Sequence, residues 1–464
     1  MYNILKQMIS KYFLWTSVLI LNILLFSSCL NSSDNYLLDR PTDPQIYAIS
    51  LSSKTDSVGV LTDVSFTIDQ INGEIFNKEP LPYLFHVDSI SLSLSSSNTY
   101  FPFYKVELTL TGSPDDSTYI WNQLDSIALP RLKKIKTTSP DGLHEKTYQF
   151  KLGIYQSDPY IIDWNRIKDS YLAPPVGEHR TIAHENDFYT YYRSGSGIKA
   201  YSAPISENPE WTEASSLSGM PDNILLTSLI TCGGTQYALT PSGAVYRSDN
   251  AITWNEVSTS YEVKAIYGEL PFVTQGSVLL AVNDGGTLKF AKTSEAFSEI
   301  VLMNNIPENM PVTDFSALTV ESSTVYANKF IFISGGKKAD NTSNNDIWVL
   351  QESNGIITFF TSQKPDEGIL EGSSLFFYDD QPYLITTTST GKNLLMYSNN
   401  YGAEWSNAGE NQAFPSEPVD FTARKYASVI TDNNNNIWIF GGISLSDTQI
   451  GDIWKGRLNK FNQN

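Results

Sequence analysis

The first pattern along the chain is a regular alternation of apolar and polar residues between positions 44 and 158. Such alternation predicts strands with one buried and one solvated face, and turn signals such as Asn72-Gly73 and Asp141-Gly142 separate them. The alternation is clearest in five segments: Tyr47–Ser52, Val64–Asp69, Ile90–Ser95, Val106–Thr111 and Tyr148–Ile154. We therefore predict an N-terminal β-sandwich of about seven strands over residues 44–158.

From about residue 171 the pattern changes to a repeat. An apolar strand ends in Gly-Gly, and a second strand then opens with Asp-Ile-Trp. The clearest copies are Phe330–Gly336 with Asp346–Trp348, and Ile437–Gly442 with Asp452–Trp454. Weaker glycine breaks stand at Gly234, Gly286 and Gly391, so the period is about 50 residues. Several short strands in each period predict the blades of a β-propeller.

A second marker is a polar turn that precedes a tryptophan, in Arg247–Trp254 and Ser398–Trp405. Asp and Asn suit such turns because they tolerate left-handed backbone and hydrogen-bond their own main chain. The Gly-Gly…Asp-Ile-Trp copies resemble kelch repeats, and the polar turns resemble the Asp-box of sialidase-type propellers. Both resemblances imply a propeller, and neither implies an activity.

The repeat predicts six blades within residues 159–464. Their third strands are expected near Tyr201, Tyr246, Phe290, Trp348, Tyr397 and Trp454. The chain ends soon after Trp454, so the sixth blade lacks a fourth strand of its own. We expect residues 160–166 to supply it, because an unpaired strand edge invites aggregation. The alternative is that Trp164 caps the preceding domain.

The first 28 residues have the pattern of an export signal, with Lys6 and Lys11 before the apolar run Phe13–Phe26. The following Ser27-Ser28-Cys29 resembles the lipobox of bacterial lipoproteins, which implies a lipid on Cys29 and a tether over residues 29–43. A transmembrane anchor or a cleaved secretory signal is the alternative, although the apolar run is short for a membrane span.

The order of these parts, from the lipobox through Ile75-Phe76-Asn77 to the strand at Tyr148 and then Trp164, resembles an uncharacterised family of Bacteroidota lipoproteins. Its N-terminal part resembles cadherin-like and immunoglobulin-like modules. The resemblance implies an outer-membrane lipoprotein whose only membrane contact is the anchor. It implies no chemistry, and it leaves open whether the protein faces the periplasm or the surface.

Composition excludes some partners. The chain has 31 Lys and Arg against 50 Asp and Glu, a formal net charge of −19, whereas nucleic-acid binding requires a basic surface. Cys232 has no partner for a disulfide, and we expect it to pack as a small buried residue. The run Asp432–Asn436 has oxygens at alternate positions but lacks the glycine and distal glutamate of a calcium loop. We predict a polar hairpin there, with no metal and no cofactor.

Sequence alone singles out no catalytic residue. His179-Arg180-Thr181 does not match the Arg-Ile-Pro motif of sialidases. Paired carboxylates for glycoside cleavage come from distant loops, and possible members are Asp187, Asp314, Glu371 and Asp420. We therefore predict a non-enzymatic binding or scaffold protein whose propeller recognises a glycan or an envelope protein. The alternative is a glycan-active enzyme.

Two arginines are the candidate binding residues. Arg180 and Arg424 each open the expected innermost strand of a blade, the first and the sixth. These blades are neighbours in a closed ring, so both side chains are expected at the mouth of the central channel, where propellers commonly bind ligands. The alternative is that each arginine is a solvated edge residue or forms a structural ion pair. The loops that carry Lys337, Lys338 and Asp447 are expected on the same side.

Overall fold

The computed structural model describes residues 40–98, 100–172, 176–195, 197–270, 277–321, 329–416 and 420–462. The chain divides into two compact units, residues 1–156 and 157–464. Residues 1–39, which include the predicted signal, Cys29 and most of the predicted tether, lie outside the described residues. Within the described ranges, no helix is both long and apolar enough to cross a membrane.

Unit 1 is built from two sheets. Its strands are β1 (Ala48–Ser52), β2 (Phe66–Asp69), β3 (Glu74–Asn77), β4 (Ser91–Ser95), β5 (Lys105–Leu110), β6 (Ser117–Ile120), β7 (Leu132–Thr138) and β8 (Glu145–Lys151). β1 and β4 form one antiparallel pair, and the order of the other sheet is β2-β3-β8-β7-β5-β6. The alternation in the sequence is the cause, because one face of each strand enters a shared core that contains Leu108, Ile135 and Tyr148.

Unit 1 also contains a helical turn that the sequence pattern did not predict, α1 (Val60–Asp63). The Asp56 carboxylate explains it, because it accepts hydrogen bonds from the backbone N–H groups of Gly59, Val60 and Leu61 at 3.1, 3.0 and 2.7 Å. A side-chain cap of this kind satisfies the free donors of a helix start. One turn is too short to produce a helical period in the sequence. A short 3-10 helix follows at Leu129–Arg131.

Unit 2 begins with β9 (Ile162–Lys168) and continues as six consecutive antiparallel sheets. Blade one contains β10 (His179–His184), β11 (Asp187–Ser194), β12 (Gly197–Pro204) and β13 (Thr212–Glu213). Blade two contains β14 (Leu225–Cys232), β15 (Thr235–Leu239), β16 (Val245–Ser248) and β17 (Asn255–Val257). Blade three contains β18 (Glu262–Leu270), β19 (Ser277–Asp284), β20 (Thr287–Ser294) and β21 (Ile300–Asn305).

The second half of unit 2 repeats this plan. Blade four contains β22 (Thr313–Glu321), β23 (Lys329–Lys337), β24 (Ile347–Ser353) and β25 (Ile356–Thr361). Blade five contains β26 (Gly368–Tyr378), β27 (Gln381–Thr388), β28 (Asn393–Tyr397) and β29 (Ser406–Asn407). Blade six contains β30 (Arg424–Lys425), β31 (Ser428–Thr431), β32 (Ile437–Ser444) and β33 (Gln449–Leu458). Two 3-10 helices complete the unit, Glu410–Gln412 and Asn459–Asn462. The predicted all-β architecture, a sandwich followed by a six-bladed propeller, is confirmed.

The outer strand of blade six comes from the start of unit 2. β9 pairs antiparallel with β33, and Trp164 lies opposite Gly456. A Cβ on Gly456 would lie 2.4 Å from the Trp164 ring, so the close approach of the indole requires glycine. The first and last strands of the propeller therefore share one sheet, which closes the ring.

The Asp-Ile-Trp marker has a hydrogen-bonding role inside the blades. In blade six, Trp454 Nε1 donates to Asp452 Oδ2 at 2.8 Å. In blade four, Trp348 Nε1 donates to Asn344 Oδ1 at 3.2 Å. Both indoles are buried, and a buried N–H group needs an acceptor. The marker thus joins a large core side chain to a nearby acceptor on its own blade.

The polar turns before Trp254 and Trp405 are built from local hydrogen bonds. Asn250 Oδ1 accepts from the backbone N–H groups of Ile252 and Thr253 at 3.0 and 2.7 Å. Asn400 Oδ1 accepts from the N–H of Glu404 at 3.0 Å. These amides are occupied by the turn itself, so the motif specifies the fold in this chain.

Candidate functional site

The candidate site is a cavity of about 210 Å³ at one end of the central channel of the propeller. We call it the channel mouth; its lining consists of Glu178, His179, Arg180, Leu226, Thr227, Asp314, Tyr426, Gly442, Ile443 and Gln449. Blades one, two, four and six all contribute. The site lies here because innermost strands begin at this end, so the first residues of β10, β14 and β22 converge on the axis.

Arg180 lies at the centre of this arrangement. It lines both the channel mouth and a deeper cavity of about 50 Å³ that blades two, three and four enclose. Its only hydrogen bond to the described residues is long, from Nη1 to the carbonyl oxygen of Ala427 at 3.4 Å. No carboxylate of the described residues forms an ion pair with it. Burial without a compensating charge lowers the pKa of Arg180 to about 10.

Arg180 is therefore a cation whose protein contacts leave most of its donors unused. A guanidinium has five N–H donors in a fixed fork and stays charged at neutral pH. Its geometry matches a carboxylate or a phosphate in two parallel hydrogen bonds. The channel mouth can accordingly bind one anionic group on an otherwise uncharged ligand.

Asp314 and Tyr426 stand beside this arginine in strained backbone. Both have a φ of +57°, which is uncommon for a residue other than glycine and most unusual for an aromatic one. Asp314 Oδ1 accepts a hydrogen bond from the Thr227 hydroxyl at 2.8 Å. Strain of this kind concentrates at functional sites, where the surrounding structure maintains it.

The Tyr426 hydroxyl is a second free group at the channel mouth. Burial, together with the negative charges of Glu371 and Asp314, raises the pKa of Tyr426 to about 12. The phenol is therefore neutral and able to donate at ordinary pH. It forms no hydrogen bond with the described residues through its oxygen, so it is available to a ligand.

His179 lines the same cavity, but its ring is hydrogen-bonded within its own loop. Its Nδ1 donates to the carbonyl oxygen of Gly177 at 2.9 Å, which leaves Nε2 as the unprotonated nitrogen. Burial lowers the pKa of His179, so the ring is neutral. Nε2 is buried against Gly441, where a Cβ would lie 1.9 Å from it. The ring shapes the wall of the mouth and does not present a free nitrogen to it.

The structure separates the two predicted arginines. Arg424 is 2 % exposed and pairs with Asp452, with Nη1–Oδ1 and Nη2–Oδ2 distances of 2.5 and 3.0 Å. It also donates to the carbonyl oxygen of Gly441 at 3.0 Å and lies 4.1 Å from the centre of the Phe421 ring. The expectation of a ligand contact at Arg424 is therefore replaced by a structural role, since every face of the guanidinium is occupied.

The predicted carboxylates fall in different places. Asp314 lines the mouth, and Glu371, in the neighbouring blade, accepts from Lys425 Nζ at 3.2 Å. Asp187 is at the hairpin between β10 and β11, the opposite end of blade one from Arg180. Asp420 is exposed in the segment before β30. Lys337 lies near the mouth, with its Nζ 4.0 Å from Asp314 Oδ2.

The other residues that the sequence singled out have local roles. Asp432 accepts from the N–H groups of Asn434 and Asn436 at 2.8 and 2.9 Å and from Trp438 Nε1 at 2.8 Å, which makes a closed hairpin turn. Cys232 is buried, and burial raises the pKa of its thiol. In the described part of the chain, no three His, Cys, Asp or Glu residues group in a way that could hold a metal.

Sequence reasoning missed Thr227, Tyr426 and Gln449 at the mouth. Tyr426 carries a signal only in hindsight, because it follows Arg424-Lys425 at the start of the sixth innermost strand. Thr227 and Gln449 are single polar residues that no motif marks. They become neighbours only through closure of the ring.

Comparison with known proteins places these observations in a family. The model of the DUF6242 beta propeller domain matches residues 158–463, and the model of the DUF6242 N-terminal domain, a domain of unknown function, matches residues 45–152. No curated protein matches the chain.

Three solved structures with a similar fold are distant in sequence. The structure of YjhT is 11 % identical and covers 62 % of this chain and 96 % of its own, with a TM-score of 0.43. A sialidase of Trypanosoma rangeli is 10 % identical and covers 64 % of this chain and 60 % of its own, with a TM-score of 0.40. The N-terminal domain of Nup159 is 13 % identical and covers 60 % of this chain and 74 % of its own, with a TM-score of 0.34.

Proposed function

We propose that this chain, which belongs to the DUF6242 family, is a lipid-anchored, non-enzymatic binding protein of a bacterial envelope. The propeller is its recognition domain, and the channel mouth binds a glycan that carries a carboxylate. The sandwich serves as a spacer between membrane and propeller. The lipid is attached to Cys29, in a kelch-like lipoprotein of the outer membrane of Bacteroidota.

The main support for this binding site is that Arg180 has no ion-pair partner among the described residues. Keeping a cation half-buried without a carboxylate costs free energy, and a fold that needed only packing would place an apolar residue there. The cost is recovered when an anionic ligand supplies the missing charge. The overall charge of −19 argues against a highly charged polyanion as the ligand but is compatible with a ligand whose single carboxylate binds a local cation.

The size of the mouth also limits the ligand. About 210 Å³ is below the range of typical drug-sized pockets, so the cavity accommodates roughly one sugar ring and not a folded segment. The Tyr426 hydroxyl and the amide of Gln449 offer neutral hydrogen-bonding groups beside the cation. These groups suit the hydroxyls of an acidic sugar at the end or branch of a longer glycan.

An array of acidic and neutral glycans tests this proposal, with every bound glycan analysed for cleavage. We expect acidic glycans to bind intact. A partner protein in place of the glycan would appear as an empty array together with co-purification of one envelope protein, and this result would reject the glycan ligand.

The alternative is a glycan-active enzyme that uses Asp314, which lines the mouth, and Glu371 in the neighbouring blade. Both carboxylates accept hydrogen bonds from neighbours, Asp314 from Thr227 and Glu371 from Lys425. Glu178 also lines the mouth, but its carboxylate pairs with Arg193 Nε at 2.7 Å. Cleaved products on the array, lost in an Asp314→Asn variant, would establish this alternative.

The anchor is tested separately. Metabolic labelling with an alkyne fatty acid should label the expressed chain, and Cys29→Ser should remove the label and release the protein from the membrane fraction. A labelled Cys29→Ser variant, or an unlabelled parent chain that still sediments with membranes, would contradict lipidation at this residue.

A further inference from the structure

A second cleft lies on the propeller at the end opposite the channel mouth. It has a volume of about 670 Å³, and the residues used below are Tyr160, Gln381, Tyr383, Tyr397, Asn399 and Gln412; we call it the tyrosine cleft. Gln381 starts β27 beside the hairpin from β26, and Tyr397 ends β28, so this end of blade five is the one away from Arg180.

Tyrosine rings form the apolar part of this cleft. Tyr160 is 61 % exposed although it belongs to an ordered segment. Tyr383 and Tyr397 lie side by side with ring centres 6.0 Å apart, Tyr397 half-buried and Tyr383 buried. An exposed aromatic ring offers a flat apolar surface with a polar edge, which suits a ligand that is apolar on one face and hydroxylated at its rim.

Free amides complete the lining. The side chains of Gln381 and Asn399 form no hydrogen bond with the described residues, although both groups border the cleft. An amide offers two donors and one acceptor with two lone pairs, and a sugar hydroxyl can satisfy both kinds. Rings flanked by amides with free hydrogen-bonding groups suit a saccharide, which has apolar ring faces and hydroxyls at its edge.

Neighbouring contacts hold the cleft in place. Asp158 accepts from the N–H of Tyr160 at 2.9 Å through one oxygen and from Asn411 Nδ2 at 2.8 Å through the other, which ties two separate segments together. Trp164 Nε1 donates to the carbonyl oxygen of Gln412 at 3.3 Å, which holds the adjacent turn in place. The walls are thus built by the blade-six closure and do not depend on the ligand.

The charge of the tyrosine cleft favours a neutral ligand. Asp379 at its edge pairs with Lys460, so the nearest cation is already neutralised. Glu410, also at the edge, forms no ion pair with the described residues and leaves local negative charge. An anionic ligand would be repelled here, in contrast to the channel mouth, whose central group is a cation.

We propose that the tyrosine cleft binds a neutral oligosaccharide, with a sugar ring stacked on Tyr160 and its hydroxyls bonded to Gln381 and Asn399. The volume admits about two sugar rings, within the range of known small-ligand sites. A peptide is the less suitable occupant, since it would need an unpaired strand edge or apolar side-chain pockets. This site does not depend on the function proposed for the channel mouth.

The test is an array of neutral oligosaccharides probed with the full-length chain in mild detergent, followed by titration of each hit. We expect Tyr160→Ala to weaken binding about tenfold, the effect of losing one central aromatic contact. The double variant Gln381→Ala/Asn399→Ala should weaken it to a similar extent. An excess of an acidic glycan should leave neutral binding unchanged, which separates this site from the channel mouth.

The matched control is Tyr47→Ala. Tyr47 is 57 % exposed, close to the value for Tyr160, but belongs to unit 1 and lines none of the clefts described above. Its removal should not alter binding, and thermal unfolding should show that all variants fold. The proposal would be overturned if no neutral glycan binds, or if a neutral glycan binds equally well to the parent chain, to Tyr160→Ala and to the amide variant. It would also be overturned if the cleft captures a polypeptide and Tyr160→Ala abolishes that capture.

Discussion

Arg180 and Arg424 both lie near the start of an innermost strand, in blades one and six, yet they have opposite environments. In blade six, Asp452 stands two residues before Trp454 and neutralises Arg424. In blade one, the residue two before Tyr201 is Lys199, which points outwards and pairs with Glu213 on the surface. The repeat therefore supplies a carboxylate to one arginine and withholds it from the other. In a repeat protein, a candidate functional residue can thus be recognised when its own blade lacks the partner that neutralises a similar residue in another blade.

The largest expected effect is on the paired arginine. Arg424→Ala leaves Asp452 buried without a counter-charge, so the free energy of unfolding should fall by about 3–5 kcal/mol. Denaturant titration, followed by tryptophan fluorescence to report on the propeller, measures the change. Lys199→Ala is the control, because its ion pair with Glu213 is exposed and such pairs add little to stability. Equal losses in the two variants would show that the Arg424 pair is not structurally important.

Arg180→Ala should have its main effect on binding. Loss of a charge-assisted contact with a carboxylate should weaken an acidic glycan by about 10- to 100-fold. Titration calorimetry at low salt measures this. Arg180→Lys should recover only part of the affinity, because an ammonium lacks the two-pronged geometry. Full affinity in Arg180→Ala would remove Arg180 from the site.

Replacing Arg180 should weaken binding but increase the stability of the fold. Burial lowers the pKa of Arg180 in the folded chain to about 10, well below its usual value, so its charge destabilises the fold at every pH below about 10. Arg180→Met should therefore raise the free energy of unfolding at neutral pH by on the order of 1 kcal/mol, a figure reduced because the side chain is partly solvated. The advantage should shrink as the pH rises above about 10. A destabilised variant would mean that Arg180 serves packing.

The smallest effect is expected at Asp314. Asp314→Asn keeps an acceptor for Thr227 and tolerates the positive φ, but it removes a negative charge beside the bound anion. The affinity for an acidic glycan should rise by two- to fivefold, about 0.5–1 kcal/mol. Weaker binding would indicate that the carboxylate contacts the ligand directly.

The sequence predicted the fold well because the fold depends on local periodicity. Alternating strands, glycine breaks and tryptophan markers each concern a few neighbouring residues, and the third strands of all six blades fall where the markers indicated them. The helical turn at Val60–Asp63 escaped because a single side chain, Asp56, maintains it.

The site was predicted only in part because it depends on contacts between blades. Arg180 could be placed at the mouth from its position in the repeat. The occupation of Arg424 by Asp452 joins residues 28 positions apart, and no local pattern shows it. The tyrosine cleft was not predicted at all, since it joins Tyr160 to blade five through closure of the ring.

The most direct test of the central claim is a pair of titrations with one acidic glycan from the array and its methyl ester, against the parent chain and Arg180→Ala. Esterification removes the negative charge and keeps the rest of the ligand. If the carboxylate binds Arg180, the ester should bind the parent chain as weakly as the free acid binds Arg180→Ala. The ester should then bind Arg180→Ala only slightly more weakly than it binds the parent chain. Equal binding of acid and ester by the parent chain would contradict the account.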